Sequence, residues 1–262
     1  MDTRATAGAQ LRQLRRQANL SQLDLALLTG VSQRHLSCIE TGRAKAGPGT
    51  LHTLLTALEA PLDHANRVFL AAGYAPRYSA TALASPAMTA IREALSHVLH
   101  ANNPAPAILL DSEWRVLAAN ASTGVLFELV GIKPDAADGL NLLTTLLQAG
   151  GLGDHLINAG EIRRLAWQRA TREALGNPAL AAVLANLPVP ACPELPSELP
   201  PLVLTRIRSS RGELTFLSTF TTFGMPQDIT LTSLRIEHLI PADDATWQVM
   251  RRACADYSAL VL

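Results

Sequence analysis

Cysteine is scarce in this chain of 262 residues. Cys38, Cys192 and Cys254 stand far apart, with no CxxC pair and no His/Cys spacing of a metal site. That argues against a disulfide framework or a zinc module and fits reduced thiols in a cytoplasm. Long apolar runs are also missing, since none reaches the ~18–20 residues that a membrane helix needs. The charged start MDTRATAGAQLRQLRRQANL has no apolar signal core, so a cytoplasmic protein without a membrane partner is expected. No G-x-S-x-G, H-E-x-x-H, P-loop or G-x-G-x-x-G after a strand occurs, and neither an enzyme, a metal nor a covalent cofactor is expected. What is present is apolar: 48% hydrophobic residues against 17% charged ones. A sizeable core follows, and at ~100–200 residues per domain there is room for two domains.

The formal charge is zero overall but divided. Residues 1–78 carry nine Arg/Lys against five Asp/Glu, and the remainder carries 13 against 17. A basic head on a mildly acidic body suits a polyanion-binding domain joined to one with another task. Within the head, apolar spacing predicts helices near 10–19, 22–28, 33–41, 48–58 and 62–72. Ser21 and Ser32 stand where they cap the second and third helices. Gly30 can take the left-handed conformation that a tight turn between them requires. Small Ala26 at the crossing and inward Val31, Leu36 and Ile39 complete a helix-turn-helix, whose second member enters the major groove of double-stranded DNA.

The segment 20–43, LSQLDLALLTGVSQRHLSCIETGR, resembles the XRE-type, lambda-repressor-like helix-turn-helix family. The resemblance implies that Gln22 approaches a phosphate and braces the recognition helix, and that Gln33 and Arg34 read bases. Their chemistry agrees, because Gln pairs with adenine and Arg with guanine in the major groove. Ser32, Ser37 and Cys38 are further candidates for DNA contact, and Arg43 and Lys45 suit phosphates. Glu40 would be repelled by DNA, so a structural pair with Arg15 or Arg16 is expected for it. His35 is read as solvent-facing.

Residues 76–87, PRYSATALASPA, read as a flexible joint, and 88–100 as an amphipathic helix. The boundaries expected are therefore a DNA-binding domain at 1–78, a linker and connecting helix at 79–103, and a second domain at 104–262. In that domain two short strands (107–111 and 115–120) precede helices at 121–130, 140–148, 159–176 and 178–187. A proline-rich loop follows at 188–201, then strands at 202–209, 213–223 and 229–240. Asp243 and Asp244 read as the start of a helix.

This order matches a PAS-type domain, and WRVLAAN (114–120), NLL (141–143) and TFGMPQDITLTSLRIEHLIPADDAT (222–246) resemble the ligand-binding domain of MmyB-like transcription regulators. The whole is then an α+β chain of two domains: an all-α, lambda-repressor-like helix-turn-helix domain, then a PAS-like antiparallel sheet covered by helices. The resemblance implies a sequence-specific transcription regulator that holds a long-chain acyl ligand, a fatty acid; a homodimer that sets two recognition helices on two half-sites is expected with it. Leu143, Leu147, Phe216 and Phe220 are candidate apolar contacts, and His155, Arg163, Arg164 and Arg206 are candidate partners for its carboxylate. Three other readings stay open at this point: a second domain serving only dimerisation or protein contact, a haem or flavin sensor, and an enzyme fused to a DNA-binding head.

Overall fold

The structure, a computed structural model, describes residues 6–132, 139–191 and 201–260. In chain order its elements are α1 (Ala7–Gln17), α2 (Gln22–Thr29), α3 (Gln33–Glu40), α4 (Pro48–Ala57), α5 (Leu62–Ala71), α6 (Thr89–Ala101), β1 (Ala107–Leu110) and β2 (Val116–Ala119). There follow α7 (Ala121–Val130), α8 (Leu142–Leu147), α9 (Ala159–Ala174), α10 (Pro178–Ala185), β3 (Thr205–Ser209), β4 (Gly212–Thr221), α11 (Ile229–Ser233), β5 (Arg235–Pro241) and α12 (Asp244–Leu260). They form two compact units. One holds the described residues up to Ser85 together with Met225–Thr232, and the other holds the rest. Residues 192–200 of the expected proline-rich loop lie outside the described residues.

In the first unit, local chemistry sets the helix boundaries. The Ser21 side chain accepts from the backbone N–H of Asp24, and Asp24 returns a bond to the N–H of Ser21, closing a capping box on α2. Ser32 caps α3 by accepting from the N–H of His35, and Gly30 takes φ 69° between the two helices. Leu11, Leu25, Leu36, Leu51, Leu54 and Phe69 fill the core. Each fully buried Leu or Phe contributes about 1.5–3 kcal/mol by leaving water.

The stretch read as a flexible joint has fixed partners here. Asn66 accepts from the N–H groups of Arg77 and Tyr78 and donates to the carbonyl of Tyr78. Ser79 then bridges to Asp228: its hydroxyl donates to Asp228 Oδ2 at 2.9 Å, and the Ile229 N–H donates to the Ser79 carbonyl. Asp228 also accepts from the N–H of Thr230, and its carbonyl from the N–H of Thr232. These bonds turn 229–233 into a helical turn, where a strand is expected from the β-branched sequence. The side chain of one aspartate overrides the strand propensity of Ile229, Thr230 and Thr232.

The second unit is built on a five-stranded antiparallel sheet of order β2-β1-β5-β4-β3, the PAS-like arrangement of two strands, a run of helices and three strands. Asn120 caps α7 by accepting from the N–H of Thr123, and Asp243 accepts from the N–H of Thr246 at the start of α12. Cross-strand pairing aligns Ile108, Glu237 and Phe220 in one row, and Leu110 with Arg235 in another. Directly paired residues share a sheet face, so Glu237 stands on the face that also carries Ile108, Leu110, Leu214 and Phe216. On the other face, Leu109 and Ile236 meet Leu95 and Val98 of α6 around a small cavity of about 150 Å³.

Candidate DNA-reading surface and ligand cavity

The first turn of α3 points away from its own domain. Ser32, Gln33, Arg34 and His35 are exposed, Ser37 and Cys38 are half-buried, and Leu36 and Ile39 anchor the opposite side in the core. Arg43 and Lys45 follow in the exposed loop, with the Lys45 ammonium 4.8 Å from the centre of the Tyr74 ring. His35 is exposed, as its sequence position suggests.

Behind this surface sits a buried ionic clasp. Arg15 Nε and Nη2 donate to the two oxygens of Glu40 at 2.7 and 2.9 Å, and Arg15 Nη1 donates to the carbonyl of Leu20. Gln22 Nε2 donates to Glu40 Oε2 at 2.9 Å, so the bracing role implied for Gln22 rests on the carboxylate at the end of α3. Only 1% of the Glu40 side chain is exposed. Burial by itself would push its carboxyl up, but the bonds from Arg15 and Gln22 hold it below its ordinary value. A bidentate, buried pair fixes α3 against α1 and α2.

In the second unit, β1, β2, β3, β5, α7, α8 and α9 line a partly open cavity of about 340 Å³, within the ~300–1,000 Å³ of small-molecule sites. Ile108, Leu126, Phe127, Leu142, Leu146 and Ile207 are among its walls. Gly124, in the middle of α7, lines it, and a β carbon built there would meet no atom within 4 Å. Glycine inside a helix costs about 0.5–1 kcal/mol relative to alanine, and here it leaves open space where a side chain would stand.

The polar groups of the wall are few. Asn120 is fully occupied: its oxygen accepts from the Ala107 N–H and from both donors of Thr123, while its Nδ2 donates to the carbonyls of Leu99 and Ala105. The Thr123 hydroxyl also reaches the Ala107 carbonyl. Glu237 lines the cavity, and Ser218 Oγ donates to its Oε1 at 2.8 Å. Burial pushes the Glu237 carboxyl above its ordinary value, against the pull of Ser218, Arg169 and Arg235.

None of the eight ligand contacts expected from the sequence, Arg164 included, lines this cavity among the described residues. Leu143 and Phe216 are fully buried in the core beside it. Leu147 and Arg163 border a separate, more open pocket of about 480 Å³ with Gly160 and Pro188 instead. Arg163 is engaged by the Leu146 carbonyl and by Asp154 at 2.7 Å, and Arg206 by Glu213. His155 lies in the short turn Leu152–His155, between the wall residues Leu152 and Leu156, but is not itself among the residues that line the cavity. Phe220 lies under the Arg169 guanidinium, 3.8 Å from its centre. It belongs to a cluster in which Glu173 accepts from Arg169, Arg235 and the Trp114 indole. Burial would raise the Glu173 carboxyl, yet these partners hold it below its ordinary value. Among the described residues, Arg235 keeps Nε and Nη2 without a hydrogen-bond partner, and neither arginine lines the cavity. The division is tertiary: the same apolar helix residues separate into packed core and open wall by which way each helix is turned.

Among the described residues no three His, Cys, Asp or Glu side chains come together as a metal site. Nor is any described helix long and apolar enough to cross a membrane.

An outward recognition helix joined to a sheet-and-helix domain around an apolar cavity defines a DNA-binding helix-turn-helix regulator with a ligand-binding domain. Residues 6–68 match the profile described as helix-turn-helix domain, and residues 91–253 match the MmyB-like transcription regulator ligand binding domain. The second match spans more than half of the chain, which belongs to that family. Both families are transcription-regulator domains. No curated protein matches the chain. Among solved structures it is similar to "Structure of an RNA-binding Light-Oxygen-Voltage Receptor", at 15% identity and a TM-score of 0.27. That alignment covers 98% of this chain, which spans 64% of the length of the other.

Proposed function

We propose that this chain regulates transcription by reading duplex DNA with the first turn of α3, and that its cavity holds a small apolar ligand whose binding changes DNA affinity. The observation that carries this reading is the presence, in one member of this family, of an exposed Gln33–Arg34 turn and an apolar cavity of about 340 Å³. Gln33 and Arg34 supply base contacts; Ser32, Ser37 and Cys38 flank them; Arg43 and Lys45 meet phosphates. Two copies would place two such helices on half-sites ~10 bp apart or a multiple of it, which is the case for a homodimer. The ligand acts to the extent that it binds the DNA-competent and incompetent arrangements with different affinity. The apolar wall suits a hydrocarbon chain such as that of a fatty acid or another acyl compound. The chemistry is binding, with no turnover.

Arg34→Ala is expected to lose about 1–3 kcal/mol of discrimination at one base position per half-site. Gel-shift titrations against an operator selected from random duplexes measure it. Equal weakening on every sequence would reassign Arg34 to phosphate.

Gly124→Leu tests the cavity. The new side chain fills space that is open in the native protein, and the helix gains up to about 1 kcal/mol from losing its glycine. The variant is expected to melt no lower than the native chain while losing fluorescence enhancement of N-phenyl-1-naphthylamine, a neutral apolar probe. Undiminished probe binding, or no binding to the native chain, removes the ligand half of the reading.

A further inference from the structure

Among the described residues that line the cavity, Glu237 is the ionisable one. It sits in the middle strand of the sheet, in the row Ile108–Glu237–Phe220, so the backbone holds it in the wall rather than at a mobile rim. The neighbouring wall polar groups Asn120 and Thr123 satisfy one another and the backbone. Glu237 accepts one hydrogen bond, from Ser218 to Oε1, and among the described residues none reaches Oε2. The two guanidinium groups on this side of the sheet, Arg169 and Arg235, share Glu173 and stack against Trp114 and Phe220; Arg235 keeps two donors unpaired among the described residues, and neither group lines the cavity.

We propose that the cavity selects an apolar molecule whose polar end is a hydrogen-bond donor, a hydroxyl or an ammonium, received by Glu237, and that it disfavours a free carboxylate. The inference rests on the cavity being a ligand site and names the class of ligand. An acceptor oxygen facing an apolar space costs free energy until a donor meets it. A donor head group supplies that bond, and an ammonium adds charge complementarity. A carboxylate at the same place would meet a like charge, or one of the two acids would have to take up a proton. Glu237 is therefore a specificity determinant that turns the cavity away from the fatty-acid anion while keeping its hydrocarbon preference.

The test uses the full chain and three probes of equal chain length, 1-dodecanol, dodecylamine and laurate, each displacing bound N-phenyl-1-naphthylamine below its micelle concentration. The two donor heads are expected to displace the probe at concentrations at least about tenfold lower than laurate. Glu237→Gln, which removes the negative charge and adds a donor, should narrow that gap to about threefold or less. Laurate binding as well as or better than dodecanol overturns the head-group inference and leaves the cavity reading intact. An unchanged gap in folded Glu237→Gln likewise removes Glu237 as the determinant. Failure of the naphthylamine probe to bind the native chain falls on the cavity reading itself. Should Glu237→Gln not fold, the ranking of the three probes on the native chain still decides.

Discussion

Glu40→Ala is expected to destabilise the helix-turn-helix domain by about 3–5 kcal/mol, because it removes one partner of a buried ion pair and strands the other. Arg15 would keep only the Leu20 carbonyl, and Gln22 would lose the acceptor that ties α2 to α3. Denaturant unfolding at neutral pH, followed by circular dichroism, measures the loss. The acid limb supplies a second check. The Glu40 carboxyl is held below its ordinary value of 4.5 in the folded state. Its contribution is therefore complete above that value and disappears as pH falls through the lower folded value. The native domain should lose stability over that acid range, and Glu40→Ala should lose less of it. A destabilisation under about 1 kcal/mol would place the pair among solvent-screened ones and undo the claim that it fixes the recognition helix.

Phe216→Ala is expected to cost about 3–5 kcal/mol in the second unit, the range for truncating a buried aromatic that leaves a void. Phe216 has no accessible surface and pairs across the sheet with Thr205 and Pro241. Thermal unfolding monitored by circular dichroism reads the effect. A loss below about 1.5 kcal/mol, together with a several-fold change in probe affinity, would return Phe216 to the cavity wall and overturn its placement in the core.

What could be read from the sequence was local or periodic. Ser21, Ser32 and Asn120 are legible as caps because a cap bonds to an N–H within three residues. Gly30 is legible because a tight turn restricts backbone geometry regardless of surroundings. The reciprocal bond from Asp24 follows the capping-box spacing and was available to the same reasoning. The pairing of Glu40 with an arginine on α1 followed from charge, since a carboxylate beside a DNA-reading turn needs an internal partner. Which arginine it is, Arg15 rather than Arg16, is set by helix rotation.

Contacts between distant residues were not legible. Asp228 converts the stretch after it from the expected strand into a helical turn through bonds to its own neighbours, while Ser79 and Thr81 bond to it from the far side of the sequence. Gly8 carries no motif, yet a β carbon on it would lie 2.2 Å from the Ile39 carbonyl oxygen, so α1 approaches α3 only because the side chain is absent. Glu237 stands in a segment that resembles the MmyB-like family, but nothing in its alternation with apolar neighbours distinguishes a wall of a cavity from an ordinary half-buried strand position.

The amino-acid order alone determined the helix-turn-helix, the strand–helix–strand sequence of the second domain and the chemistry offered at the start of α3. Those depend on caps, turns and spacing along a few residues. Only the tertiary structure decided which apolar side chains pack solidly, which face open space and which charged group looks into it. Equivalent leucines are chemically alike along the chain, and their fates separate when helices of fixed rotation are laid across a sheet of fixed register.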